Sequence, residues 1–135
     1  MNELPDTNAA EAQRWLGQAE EELLTAGRIA SDEQLPPRIA CFLAHLAAEK
    51  AIKACLISFG MAFTKVHDLG DLRALLPIGI VDVSDEDLEL LNPWAIEGRY
   101  PGDARDATST QADECVRAAE RVLATTRAAL ESKNK

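Results

Sequence analysis

The stretch from Pro37 to Phe59 constrains the fold more than any other part of the sequence, because it predicts a helix that is apolar on every side. At 100° per residue, small side chains such as Cys41 and Ala48 share one side, and Phe42 and Leu46 lie on the opposite side. A helix without a polar face has to be enclosed by other helices. The segment therefore predicts the central helix of a bundle.

Composition supports a helical protein of one domain. Hydrophobic residues make up 47% of the 135 residues but aromatic residues only 4%. Ala and Leu dominate, which favours helix over sheet. A chain of this length can bury one core and is too short for two domains.

Hydrophobic periodicity and helix-boundary residues predict four further helices around the central one. They span about 8–29, 69–76, 85–98 and 109–130, with Asp68 and Ser84 as caps, and IGIVDV at 78–83 is an extended loop. Asn92-Pro93 is expected to break or restart the helix at 85–98. The predicted fold class is all-α, an antiparallel four- to five-helix up-and-down bundle. The domain is expected to cover residues 8–131, and 1–7 and 132–135 are expected to be frayed termini.

Charge and cysteine usage indicate a cytoplasmic protein. With a formal net charge of −9, the protein as a whole is not attracted to nucleic acid or to an anionic membrane. A local basic site is compatible with this charge. The acidic N-terminus is not a secretory signal, and no apolar run approaches the ~20 residues of a membrane span. The three cysteines lack CxxC spacing and are expected to be small buried side chains of a reducing compartment.

The motifs of common metal and phosphate sites are missing from the sequence. Neither of the two histidines, His45 and His67, follows a Glu by three residues, as a di-iron bundle would require. No Cys/His spacing matches zinc, and neither GxxxxGK[ST] nor GxGxxG occurs. The sequence therefore predicts no metal and no cofactor.

Three charges fall within five residues of the otherwise apolar central helix: Glu49, Lys50 and Lys53. They occupy about 100° of arc in its second half. One interpretation is a solvated rim, over which the lysines extend toward water. The other is a cleft or subunit contact lined by the three side chains.

Further candidate residues lie on both sides of these charges. His45 precedes Glu49 by one turn and follows Arg38 by seven residues. It is either a histidine at the edge of the core that Glu49 satisfies, or it forms an Arg/His pair that acts on a phosphodiester. His67 either caps the short helix or lines a site. Arg99, in an expected exposed turn, either binds a carboxylate or contributes to a site.

Four segments together resemble one family. They are WLxxAxxEL at 15–23, HLAAEKAIKA at 45–54, HDL at 67–69 and EGRYP at 97–101. In this order and spacing they resemble the HEPN domain ("higher eukaryotes and prokaryotes nucleotide-binding") over about residues 10–131.

The resemblance implies a helical bundle, usually a homodimer. Many small bacterial members are encoded beside a minimal nucleotidyltransferase and form a toxin–antitoxin-like pair with it. Catalytic members are metal-independent ribonucleases with an R-x(4–6)-H motif in a late helix. Arg38-x6-His45 matches the spacing but lies in the central helix, and no histidine follows Arg99. The chain therefore resembles the branch without an evident nuclease motif.

The resemblance favours the cleft interpretation and predicts a nucleotide- or RNA-binding or regulatory partner of a nucleotidyltransferase. The predicted ligand-binding residues are Glu49, Lys50, Lys53, His67, Arg99 and Tyr100. Two alternatives remain: a ribonuclease toxin that uses Arg38 and His45 as catalytic residues, and an interaction scaffold without a ligand.

Overall fold

The computed structural model describes residues 7–95 and 106–133. Within these ranges helices are the only regular elements and there is no strand, which confirms the predicted all-α bundle. The elements are α1 (Thr7–Ala30), α2 (Pro37–Ser58), α3 (Leu69–Leu75), α4 (Asp85–Leu91), a 3-10 turn (Asn92–Ala95) and α5 (Ser109–Lys133).

Helix α2 is the centre of the bundle, as its apolar character predicts. It contacts α1, α3, α4, the 3-10 turn and α5. Small side chains cover much of its surface and are fully buried: Ala40, Cys41, Ala44, Ala47, Ala48, Ala51, Ala54 and Cys55. They let the neighbouring helices approach closely. Ile52 and Leu56, also without exposed area, add bulk in the second half of the helix.

Helices α1 and α5 flank α2 and bury one stripe each. Leu16, Ala19 and Ala26 form the buried stripe of α1, and Val122 and Leu123 belong to that of α5. The outer faces of both helices are mostly polar and exposed. This one-sided pattern contrasts with α2 and explains why α2 is the helix that the others enclose.

The boundaries of the short helices follow the predicted caps. The Asp68 carboxylate accepts a hydrogen bond from Asp71 N at 2.9 Å, and Ser84 Oγ accepts one from Asp87 N at 3.1 Å. Residues 78–83 form a loop, as expected. Helix α4 ends at Leu91 and continues as the 3-10 turn, so the helix changes at the expected Asn92-Pro93 break, because Pro93 supplies no backbone N–H. The expected end near residue 98 lies outside the described residues.

Candidate functional site

Helix α2 and the segment before α3 together form a hydrogen-bonded network of four side chains: His45, Glu49, Lys53 and His67. Helical spacing places His45 and Lys53 one turn on either side of Glu49. His45 Nε2 lies 3.2 Å from Glu49 Oε1, and Lys53 Nζ donates to Glu49 Oε2 at 2.8 Å. His67, from the segment before α3, brings Nδ1 within 3.1 Å of the same Oε2. We call these four residues the Glu49 network.

Glu49 is ionised at neutral pH. Burial raises the pKa of its carboxyl group, but hydrogen bonds from His45, Lys53 and His67 outweigh burial and lower the pKa from 4.5 to about 2. The carboxylate is therefore a fixed anion that neutralises the buried ammonium of Lys53.

Lys53 has a structural place within the network. Its side chain is 7% exposed. Besides the bond to Glu49, its Nζ lies 3.1 Å from His67 Nδ1 and 5.3 Å from the centre of the Phe63 ring. Glu49 and the face of Phe63 engage the ammonium, and His67 Nδ1 accepts an N–H from it only in the tautomer in which that nitrogen does not donate to Glu49. These contacts hold Lys53 within the network.

His45 links α2 to α4. Its side chain is 1% exposed, and its Nδ1 lies 3.0 Å from the carbonyl oxygen of Leu91. Nε2 faces Glu49, so both ring nitrogens face acceptors: a neutral imidazole can donate to one of them, and an imidazolium to both. This matches the interpretation of His45 as a core-edge histidine that Glu49 satisfies.

Lys50 points away from the Glu49 network. Its ammonium pairs with Glu22 of α1. Glu22 Oε2 is buried and makes no hydrogen bond within the part of the chain that the structure describes. The three clustered charges of the sequence therefore separate: Glu49 and Lys53 interact with His67, whereas Lys50 joins α2 to α1.

A cleft of about 470 Å³ lies beside the Glu49 network. Its lining comes from α2, from the start of α3 and from the 3-10 turn: Phe42, His45, Leu46, Glu49, His67, Asp68, Asn92 and Ala95. The side chain of His67 is 66% exposed, so this residue forms the accessible side of the network. The described lining offers carboxylate, imidazole and amide groups for hydrogen bonds as well as apolar surface.

The structure brings together some of the predicted residues and separates others. His45, Glu49 and His67 line the cleft, and Lys53 lies behind it. Arg38 is seven residues before His45 on α2, about 10 Å along the helix axis. Arg99 and Tyr100 lie outside the described residues. The lining residues Phe42, Asp68 and Asn92 were not among the predicted site residues, because Phe42 was interpreted as packing, Asp68 only as a cap and Asn92 only as a helix breaker.

A larger groove, of about 1160 Å³, lies between α1 and α5 and shares no residue with the Glu49 network. Its lining includes the apolar side chains of Leu23, Leu24 and Val116 and charged side chains such as Arg28 and Glu120.

Among the described residues, no cluster of three or more His, Cys, Asp or Glu side chains has the arrangement of a metal site. The same part of the chain has no helix with the length and apolar character of a membrane span.

The family model of the HEPN domain matches residues 12–129 of the chain, which include α2, the Glu49 network and the cleft. The chain belongs to the HEPN domain family. No protein of curated function matches it significantly. Two solved structures do.

The first structural relative of this HEPN domain is TT1696 from Thermus thermophilus, with a TM-score of 0.76 and 30% identity, over 87% of this chain and 97% of TT1696. The second is ST0689, an archaeal HEPN homologue, with a TM-score of 0.66 and 24% identity, over 88% of this chain and 97% of ST0689. The second likeness supports the fold. Both relatives are covered almost completely, so the bundle corresponds to nearly their whole length.

Proposed function

We propose that this HEPN domain binds a nucleotide or RNA in the cleft beside the Glu49 network and acts as a non-catalytic, regulatory partner of a nucleotidyltransferase. The proposed setting is a cytoplasmic homodimer in a toxin–antitoxin-like pair. The partner and the dimer are carried over from the family resemblance, whereas the proposed binding site is argued from the geometry.

The observation that carries the binding site is the cleft wall formed by Glu49 and His67. These residues belong to the two sequence blocks, 45–54 and 67–69, on which the resemblance mainly rests. Contacts with His45, Lys53 and His67 hold the ionised carboxylate in one position. A wall fixed in this way requires little reorganisation when a ligand binds.

The geometry favours binding over catalysis. A general acid or base needs a ring nitrogen within hydrogen-bond reach of the proton that it transfers. Both nitrogens of His45 already have partners, and the ring is buried. The alternative ribonuclease, with Arg38 and His45 as catalytic residues, would require His45 to give up one of these contacts.

Arg99 and Tyr100 complete the proposed binding residues. They follow Ala95, a lining residue of the cleft, by four and five positions in the sequence. A guanidinium can bind a phosphate through paired N–H groups, and a tyrosine ring can stack on a base. Lys50 and Lys53 are not included, because Glu22 and Glu49 engage their ammonium groups.

Calorimetric titration of the full chain with GMP, AMP and a short single-stranded RNA tests the binding proposal. We expect the wild type to bind, His67→Ala and Arg99→Ala to bind at least about tenfold more weakly, and Lys50→Ala to bind like the wild type, since a lost hydrogen bond to a charged group costs about 1.5 kcal/mol or more. Equal binding by all four proteins would place the ligand elsewhere.

Separate experiments test the partner and the absence of catalysis. Light scattering should give the mass of a dimer, and a nucleotidyltransferase encoded beside the gene should co-purify with the chain after co-expression. Expression of the chain alone should slow growth little. Strong toxicity that His45→Ala abolishes, together with RNA cleavage in vitro, would support the ribonuclease instead.

A further inference from the structure

The charges of the cleft are the starting point for its ligand chemistry. Among the described lining residues, Glu49 and Asp68 are carboxylates, and neither lysine of the central helix presents an ammonium to the cleft. Lys53 offsets the charge of Glu49, whereas Asp68 has no cationic partner among the described residues. An anionic group that enters near Asp68 would therefore meet a negative charge, and a neutral group with hydrogen-bond donors would meet an acceptor.

The cleft also offers apolar surface for a flat ring. Phe42 and Leu46 contribute it from α2, and Ala95 contributes it from the 3-10 turn. A volume of about 470 Å³ lies within the range of ordinary small-molecule sites. A heterocycle can therefore bury its faces against these residues while its edge meets polar groups.

Two polar side chains meet at the start of α3 and have one free group each. Asp68 uses Oδ1 to accept from Asp71 N, and its Oδ2 makes no hydrogen bond to the described residues. Asn92 uses Oδ1 to accept from Leu69 N at 3.1 Å, which fixes its amide so that Nδ2 remains a donor. Because Leu69 follows Asp68, the Asn92 amide is held beside the residue next to Asp68, and both side chains line the cleft.

From this pairing we infer, on the basis of the proposed function, that the cleft binds the base of the nucleotide rather than its phosphate and selects guanine. The N1–H and 2-amino groups of guanine are adjacent donors for the Asp68 carboxylate, and the neighbouring O6 is an acceptor for Asn92 Nδ2. Adenine presents an unprotonated N1 at the corresponding edge, which a carboxylate repels. Inosine keeps N1–H and O6 but lacks the 2-amino group.

Calorimetric titration of the full chain with guanosine, GMP, inosine, adenosine, AMP and inorganic phosphate tests this inference. Guanosine should bind measurably but about tenfold more weakly than GMP, because GMP adds the proposed contact between its phosphate and Arg99. Inosine should bind about tenfold more weakly than guanosine, and adenosine and phosphate not measurably, because a site that hydrogen-bonds a donor discriminates against the analogue without it.

Asp68→Asn is the decisive variant, because Asn is as good an N-cap as Asp and retains the oxygen that caps α3. It replaces Oδ2 by a donor and should abolish the preference for guanosine over inosine. Asp71→Asn removes the same charge from α3 at a residue that does not line the cleft, and it should bind like the wild type. Circular dichroism monitors folding; if Asp68→Asn unfolds, the ligand series on the wild type still decides.

The outcomes separate the two proposals. Equal binding of AMP and GMP with no binding of nucleosides would overturn base selection and leave nucleotide binding intact. No binding of any ligand would overturn both. Unchanged guanosine binding by Asp68→Asn would assign the base to another surface.

Discussion

Two ion pairs start from neighbouring turns of α2 and differ in how completely they are satisfied. The Glu49–Lys53 pair is 13% and 7% exposed, and Glu49 also has contacts with His45 and His67. The Glu22–Lys50 pair is 17% and 29% exposed, and the second oxygen of Glu22 is buried without a hydrogen bond among the described residues. Both pairs thus remove charge from water, but only in the first do both carboxylate oxygens have hydrogen-bond contacts.

The difference shows what a buried charge requires. Removal of an ion pair from water costs several kcal/mol, and attraction between the partners offsets this cost only if the remaining lone pairs are also satisfied. The Glu49 network meets that condition, and the Glu22–Lys50 pair does not. We therefore expect the first pair to be strongly coupled to stability and the second to be nearly neutral.

The largest expected effect comes from Glu49→Ala. It leaves the Lys53 ammonium buried without its counter-ion, and the loss of one partner of a buried pair costs roughly 3–5 kcal/mol in the free energy of unfolding. Urea denaturation followed by circular dichroism at pH 7 measures the change. Glu22→Ala, the matched variant on α1, should cost about 1 kcal/mol or less, because its carboxylate is only half satisfied. Similar losses for both variants would show that the two pairs do not differ.

The second effect is a dependence of stability on pH. The pKa of Glu49 is lowered from 4.5 to about 2, so its contribution is fully present above about pH 5 and is lost as the pH falls toward 2. A shift of this size corresponds to about 3 kcal/mol. About 2 kcal/mol of it is lost between pH 7 and pH 3, and urea denaturation of the wild type and of Glu49→Gln at these two pH values measures that loss. The stability of Glu49→Gln should decrease less over this interval, and parallel decreases would contradict the assignment.

Much of the fold was predictable from the sequence because its signals are local. The apolar surface of α2, the caps Asp68 and Ser84, and Pro93 act within a turn or two of their own positions. The break of the fourth helix at Asn92-Pro93 was predictable, but its form as a 3-10 turn was not, because the turn continues a helical pattern that only hydrogen bonding distinguishes. The frayed termini stay a prediction, since residues 1–6 and 134–135 lie outside the described residues.

The site was predictable only in part because its contacts join distant segments. Helical spacing indicates that His45, Glu49 and Lys53 can interact, and the HDL block indicates His67. No local rule indicates that Lys50 pairs with Glu22, twenty-eight residues earlier on another helix. Glu49 and Lys50 are adjacent in sequence but point to different sides of α2. Lys50 meets Glu22 because α1 packs on its side of α2, and that packing is a tertiary contact.

A third, smaller effect concerns the coupling within each pair. A double-mutant cycle of Glu49→Gln and Lys53→Met should give about 1.5–3 kcal/mol, the range of hydrogen bonds to charged groups. The corresponding cycle of Glu22→Gln and Lys50→Met should give less than about 1 kcal/mol. Methionine keeps most of the lysine stem, so packing changes little. A larger coupling for Glu22 and Lys50 would reverse the order of the two pairs.

The smallest effect is expected at the exposed member of the Glu49 network. His67→Ala removes one hydrogen bond to Glu49, but the ring is 66% exposed and water can replace it. Glu49 keeps Lys53 and His45 as partners. The free energy of unfolding should therefore fall by less than about 1 kcal/mol, as for other solvent-exposed pairs. His45→Ala supplies the contrast, because it removes a buried ring and leaves the Leu91 carbonyl without its donor, which costs about 1–3 kcal/mol for the unsatisfied group alone. If His67→Ala destabilises the chain as much as His45→Ala, the exposed histidine supports the fold. If it leaves stability nearly unchanged but weakens nucleotide binding, the network divides into a buried part that stabilises the bundle and an exposed part that meets the ligand.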